Sequence, residues 1–292
     1  MSRNIDHVLL TRFNIPSPGV ESLVRAKEGW LRNRLALFEE YCLPAVRAQT
    51  NTNFRWIIYL DPESPEWLTS RLNELNVPEV FVPIYRTAIS DADRISDIRT
   101  VTGATGDILI TTNLDNDDGL ASDFVDRLQT LPSGAAREAV YLVNGLIRHG
   151  ESLYARRDPS NAFCSVRETW DNPVTCWADW HNRLGRSMPV REVEGGPGWL
   201  QLIHDTNVSN RIRGRRIARG PHAQTFGPLL AGVKDPDAAE RLFESTLSRP
   251  YRVSRDAARN LAKEAVLRTI GKSGLNQLKS FVQARVSPLA KR

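Results

Sequence analysis

Apolar and polar positions change period several times along this 292-residue chain. "HVLLTRFN" (7–14) is a short continuous apolar run that breaks at Pro16, Pro18 and Gly19, the pattern of a buried strand entering a loop. From Val20 the period becomes helical: Val20, Leu23, Val24, Leu31, Leu35, Phe38 and Cys42 share one face, and Pro44 is predicted to end or kink that helix. Strands follow at 54–60, 79–85, 107–114 and 139–149. Helices are predicted over 65–75, 91–104 and 122–131, the last with Ser122 as its N-cap. Strands alternating with helices predict an α/β fold, a Rossmann-like and mostly parallel central sheet flanked by helices. Such sheets bind ligands at the carboxyl ends of their strands. Asp61 and the acids of "LDNDD" (114–118) fall at two such ends, and therefore on one rim.

The second half reads differently. Residues 150–235 are rich in loops, Trp, Gly and Pro, and 236–292 are mainly helical and basic. We divide the chain into a main domain, 1–235, and a C-terminal extension, 236–292. The net charge of +5 has a location: from Arg249 onward eleven bases face two acids, giving +9, so residues 1–248 carry −4. Within the extension Leu261, Ala265, Val266, Ile270, Leu275, Leu278, Phe281 and Val282 line one side with bases opposite. That is the pattern of a helix packed on the main domain, or of one lying on an anionic membrane surface. No aromatic–basic motif of a nucleic-acid binder accompanies the charge.

Cys42, Cys164 and Cys176 are too few and too widely spaced for a disulfide framework or a cysteine zinc site, so reduced thiols are expected. The N-terminus lacks the apolar core and cleavage site of a signal peptide, and no run of 18 apolar residues occurs. The expectation is a cytoplasmic protein that can rest peripherally on the inner face of the membrane.

"DILITTNLDNDDGL" (107–120) holds the chemistry. Asp115, Asp117 and Asp118 crowd into four positions at the end of an apolar strand. Alternate carboxylates suit a hard cation, Mg²⁺ or Mn²⁺, with positions left open for phosphate oxygens. A solvated turn with local capping fits the same residues. An EF-hand does not, because Gly119 is fifth from Asp115 and no closing Glu follows. A phosphatase with Asp115 as nucleophile is a further reading.

Two segments then combine. "AVRAQTNTNFRWIIYLD" (45–61) resembles the helix-end, Gln-Thr and second-strand signature of family 2 glycosyltransferases. "GDILITTNLDNDD" (106–118) resembles their strand leading to the metal-binding D-x-D. "TRFN", "WLRNRLALFEEYCLPAVRAQT", "LDNDD" and "WLQLIHDTNVSNRIRG" are similar to the bacterial rhamnosyltransferase family, and the likeness covers roughly residues 7–220.

The resemblance implies a GT-A fold and an enzyme that moves a sugar, with rhamnose as the family label. The donor would be a nucleotide-diphosphate sugar, and the acceptor hydroxyl would belong to a glycan or a lipid-linked molecule. It implies Thr11, Arg12 and Asp61 as nucleotide contacts, with Arg94 or Arg99 beside them. Asp115, Asp117 and His204 would hold Mn²⁺ or Mg²⁺, with Asp118 assisting. Arg211 and Arg213, in a run continuing to Arg215, Arg216 and Arg219, would meet the diphosphate. Inverting transfer needs a carboxylate base near the acceptor; Asp179 in "TCWADWHNRLGR" is the candidate, against Glu168 and Asp171. Trp170, Trp177 and Trp180 are candidates for stacking on sugar rings. The rival from another class is a non-catalytic glycan- or membrane-binding protein with the same fold.

Overall fold

The computed structural model describes residues 4–15, 29–132, 134–204, 211–255 and 257. The amphipathic stretch from 258 onward lies outside them, as do residues 16–28, which hold the predicted loop at Pro16–Gly19 and the start of the first predicted helix. Among the described residues no helix is long and apolar enough to cross a membrane.

Seven strands build the larger sheet. β1 (Ile5–Arg12), β2 (Arg55–Leu60), β3 (Val82–Tyr85) and β4 (Ile108–Asn113) lie side by side in the order β3-β2-β1-β4, all parallel. Beyond β4 come β9 (Ser165–Glu168), β6 (Arg137–Leu142) and β10 (Val190–Val193). Only β9 runs antiparallel. The predicted α/β sheet is therefore present, extended by strands from the loop-rich half.

Helices cover both faces. α1 (Trp30–Leu37) leads through a π-helical turn, Phe38–Cys42, into α2 (Leu43–Arg47). Pro44 does not end the helix. A proline has no N–H to give and its ring crowds the carbonyl four residues back; the chain widens to a π turn just ahead of it and then continues. Phe38, Trp56 and Phe81 meet beneath this turn, with Phe38 5.6 Å from Trp56 and Trp56 5.5 Å from Phe81 between ring centres. All three are fully buried, each contributing about 2–3 kcal/mol of apolar burial. α3 (Glu66–Leu75) and α4 (Asp91–Thr102) complete the βαβ units; Ser90 and Asp93 cap α4 reciprocally.

After β4 the chain passes through the acids into β5 (Gly119–Leu120), which pairs with β11 (Trp199–Ile203) of a second sheet. That sheet runs β12-β8-β7-β11-β5, with β7 (Asn144–His149), β8 (Ser152–Arg157) and β12 (Arg215–Ile217). The expected single strand 139–149 is thus two strands. The chain leaves one sheet after Leu142 and enters the other at Asn144, while Val143 bonds Val193 and Asp158. Gly145 permits this, because a side chain there would meet the Trp199 ring at 2.1 Å.

α5 (Phe124–Gln129) also starts differently from expectation. Ser122 is not its cap; Asp123 holds that position without a side-chain bond, and the buried Gln49 side chain accepts from Val125 N instead (3.1 Å). Gln49 Nε2 also donates to Ala45 O and Ala121 O. The Gln-Thr signature therefore ties α2 to the segment just past the acids. α6 (Ala223–Phe226) and α7 (Ala238–Phe243) follow β12, and the helical chain continues to 255, where Arg252 pairs with Glu244 against the second sheet.

Candidate active site

The acid loop lies where the two sheets meet, at the carboxyl ends of β1 and β4. Each acid has a different environment. Asp118 is 1% exposed, and its Oδ1 accepts from Leu202 N on β11 at 2.8 Å. Burial pushes its carboxyl well above the ordinary value, and the charges of Asp117 and Asp115 add to this. Asp117 is also buried, which works in the same direction. There the hydrogen bond from His204 and the Arg34 charge outweigh burial and hold the carboxyl below its usual value. His204 Nε2 lies 2.9 Å from Asp117 Oδ2, and Arg34 Nη1 lies 3.0 Å from the same oxygen. Asp115 opens onto solvent. The surrounding protein still strips enough water to raise its carboxyl, Asp117 adds to the rise, and Arg34 opposes it.

Arg34 was not foreseen. It interrupts a buried stripe of α1 at four-residue spacing, Trp30–Arg34–Phe38, and that interruption is the signal available in the sequence. Besides Asp117 it bonds Asn116 Oδ1 at 2.7 Å, and Asn116 Nδ2 donates to Phe13 O. The loop is thereby fastened to α1, β1 and β11 together.

A cleft of about 640 Å³ opens in front of Asp115, a size suited to a small-molecule ligand. Arg12, Arg211, Arg213 and Asp179 line it with Asp115. Arg12 lies over the Trp177 ring, 4.3 Å from its centre, and Trp177 Nε1 donates to Asn113 Oδ1 at 2.7 Å. Asn113 Nδ2 reaches Asp115 Oδ1 at 3.4 Å. Trp180, 70% exposed, stands at the edge of the same cleft beside Asp179. Asp158 and His181 also line it and were missed by sequence reasoning. Asp158 pairs with Arg156, and His181 Nδ1 meets Ser160 O at 2.6 Å. Asp158 comes directly after β8 and His181 after the Trp-containing turn 177–180, whose path a sequence does not reveal.

The other candidates are distributed around this cleft. Thr11 lies directly below the acids, donating to Leu114 O at 2.7 Å while accepting from Trp56 Nε1; it braces the loop from beneath. Asp61 ends β2 and accepts from Glu63 N, while its own N–H binds Asn14. Arg94 is buried behind the cleft wall, bonded to Asp91 and to Val174 O. Arg99 lies on the outside of α4 over Trp170, away from the cleft. Glu168 is committed to Arg137, Val174 N and Thr175 N, and Asp171 does not line the cleft. Of the three carboxylates considered as base, Asp179 alone faces it. Arg215 and Arg216 belong to β12, with Arg216 paired to Glu240.

The donor set suits a hard divalent ion. Carboxylate and imidazole donors are the kinds such an ion takes, while the 2.9 Å between Asp117 Oδ2 and His204 Nε2 is an ordinary hydrogen-bond distance. Among the described residues, no group of three His, Cys, Asp or Glu side chains is placed so that it could hold a metal ion.

A mostly parallel sheet with clustered aspartates at its carboxyl rim is the layout expected of a GT-A-like fold. Residues 6–216 match the model of the family described as "Putative rhamnosyl transferase", and the chain belongs to that family of glycosyltransferases. Among solved structures, S. aureus TarS 1-349 is similar over 68% of this chain at 9% identity, with a TM-score of 0.41; the similarity spans 60% of that protein. The inositol-1-phosphate CTP transferase of T. maritima is similar over 80% of this chain and 100% of its own, at 8% identity and a TM-score of 0.37. No curated protein sequence matches the chain.

Proposed function

We propose that this glycosyltransferase uses a divalent cation to transfer a sugar from a nucleotide-diphosphate donor to a hydroxyl, with inversion. The observation that carries the reading is the gathering of Asp115, Asp117 and Asp118 with His204 at the carboxyl rim of the sheet, beside a cleft into which Asp115 opens. Asp115, Asp117 and His204 would hold Mn²⁺ or Mg²⁺; when bound, the ion would neutralise charge developing on the leaving diphosphate. The chain's own residues do the rest. Arg211 and Arg213 suit paired bonds to phosphate oxygens. Arg12, stacked on Trp177, suits the nucleotide side, with Asp61 at the next strand end. Asp179 takes the proton from the acceptor hydroxyl as that oxygen attacks the anomeric carbon from the side opposite the diphosphate. Trp180 offers the acceptor a flat apolar face. A glycan or lipid-linked acceptor fits a cleft that is open rather than enclosed.

The test is thermal stabilisation of the purified protein by nucleoside diphosphates, with and without Mn²⁺. Stabilisation that requires both is expected for at least one nucleotide. Its absence for every nucleotide at every cation concentration would overturn the reading. Donor identity then follows from sugar-nucleotide hydrolysis across a panel that includes the rhamnosyl donors.

A further inference from the structure

Several polar side chains that line the cleft are already committed within the protein. Asn113 is held by Ala162 O and Trp177 Nε1. Asn161 is held by Leu142 O, Asp158 O and Phe163 N, and Asp158 by Arg156 and Ser160 N. Gln201 and His181 are different. Both line the cleft and are half-buried. Among the described residues nothing bonds the Gln201 amide on β11, and nothing bonds His181 Nε2. The other ring nitrogen fixes the state of His181. Nδ1 lies 2.6 Å from Ser160 O. A carbonyl oxygen only accepts, so Nδ1 carries the proton and donates it there. In the neutral ring Nε2 is then a lone-pair acceptor. The backbone beneath the ring is held as well, because Tyr141 OH donates to His181 O. His181 is also near enough to Asp115 for its charge to favour that carboxylate.

We propose that His181 and Gln201 bind hydroxyls of the donor's sugar. This rests on the sugar-nucleotide reading above and requires no bound metal. A hydroxyl both donates and accepts, so a fixed acceptor together with an amide that does either matches it. Both groups are neutral and therefore suit hydroxyls, while Arg12, Arg211 and Arg213 in the same cleft suit the phosphates. The sugar is the part of the donor joined directly to the diphosphate, so phosphates held by those arginines bring its hydroxyls into this cavity. The assignment makes the two residues selective. A sugar that lacks the matching hydroxyl, or carries it on the other ring face, leaves Nε2 and the amide unpaired, and unpaired polar groups are what a hydrogen-bonding site discriminates by.

The experiment compares two substitutions at His181 that each keep one of its nitrogens. Asn places an amide where Nδ1 stands, so His181→Asn preserves the bond to Ser160 O and removes the Nε2 acceptor. Gln reaches the position of Nε2, so His181→Gln keeps a polar atom toward the cleft and gives up the bond to Ser160 O. Binding is measured calorimetrically for UDP-glucose, dTDP-rhamnose and GDP-mannose, and for UDP, dTDP and GDP. For the sugar nucleotide that wild-type protein prefers, His181→Asn and Gln201→Leu should each weaken binding about fivefold or more, the scale of a lost hydrogen bond. The matching nucleoside diphosphate should bind as before, and His181→Gln should recover part of the lost sugar-nucleotide affinity. Equal weakening of sugar nucleotide and nucleoside diphosphate would overturn the proposal, as would no change in either. Loss in His181→Gln with His181→Asn unaffected would make the ring a brace of its turn and overturn it too. If wild-type protein binds none of the six compounds, the donor reading itself falls and takes this assignment with it, an outcome distinct from any result at His181. Melting curves show that each variant is folded before the comparison is made.

Discussion

The strands β1 and β4 carry buried polar groups in two places, and the two are built on opposite principles. In the body of the sheet His7 is fully enclosed. Its Nε2 meets Thr112 Oγ1 at 3.0 Å, Thr112 meets Ser165, and its Nδ1 meets Gln129. Every member is neutral, and burial lowers the His7 pKa to about 3 so that it stays neutral. At the rim of the same strands three carboxylates crowd around one arginine and one histidine. Two of them, Asp115 and Asp118, are driven upward by burial and by their neighbours. The first arrangement is satisfied within the chain and contributes stability. The second gathers acids whose ionisation is opposed by burial and by one another, with Arg34 and His204 both drawn to Asp117. Buried polarity by itself therefore does not mark a functional site; an unbalanced charge does.

That contrast can be broken by experiment. The largest expected effect belongs to a side chain outside both networks. Asp179→Asn should lower turnover in sugar-nucleotide hydrolysis by about 10²–10⁴-fold and leave melting temperature and nucleotide affinity unchanged, because Asp179 is exposed. A fall in nucleotide affinity as large as the fall in rate would remove it from the role of base. Next comes His7. Its folded pKa lies below the ordinary 6.5, so its contribution is present in full above pH 6.5 and is lost as pH falls toward 3. Below both values the loss approaches about 5 kcal/mol. Urea titrations from pH 7 to pH 4 should show His7→Gln losing less stability across that range than the wild type. Parallel curves would mean that His7 does not carry the acid sensitivity.

Third is Asp115→Asn, expected to weaken cation-dependent nucleotide binding about 100-fold, or about 2.7 kcal/mol, with no loss of thermal stability. The smallest effect is the most diagnostic. Asn at 118 keeps an oxygen for Leu202 N and removes an acid whose ionisation burial opposes. Asp118→Asn should stabilise the cation-free protein by about 1 kcal/mol at pH 7. The gain should shrink as pH falls and the native carboxyl protonates without cost. Destabilisation at pH 7 would place Asp118 among the satisfied groups with His7.

Legibility in the sequence followed the range of the interactions. The parallel strands of the first half were readable because each is a short apolar run punctuated by Pro, Gly or acids. α4 was readable because Ser90, Asp93 and Gly103 mark its ends locally. The acids were readable because three charges at the end of an apolar strand demand an explanation. What was missed depends on distant partners. The cap of α5 comes from Gln49, which no local pattern connects to Val125. The strand 139–149 divides because Trp199, more than fifty residues on, fills the space over Gly145. Arg34 gains its role only from Asn116 and Asp117, more than eighty residues away in the chain. Arg99 fitted the general position of a nucleotide contact, but helical phase turns it outward to Trp170.

The seam between the sheets has a consequence for how the molecule can vary. β5 is two residues long, and within a few positions of it the chain is fastened at Asn116, Asp117 and Asp118. One residue inserted between Asn113 and Leu120 would turn an aspartate away from its partner and slide β5 against β11. In the stretch from Asp158 to Arg186 the short exposed turn Ala178–Trp180, between the anchored Trp177 and His181, faces solvent. Length changes should therefore accumulate among relatives on the Trp180 side of the cleft and be nearly absent on the Asp115 side. One scaffold could in this way accommodate many acceptors while the machinery for handling the donor stays the same length.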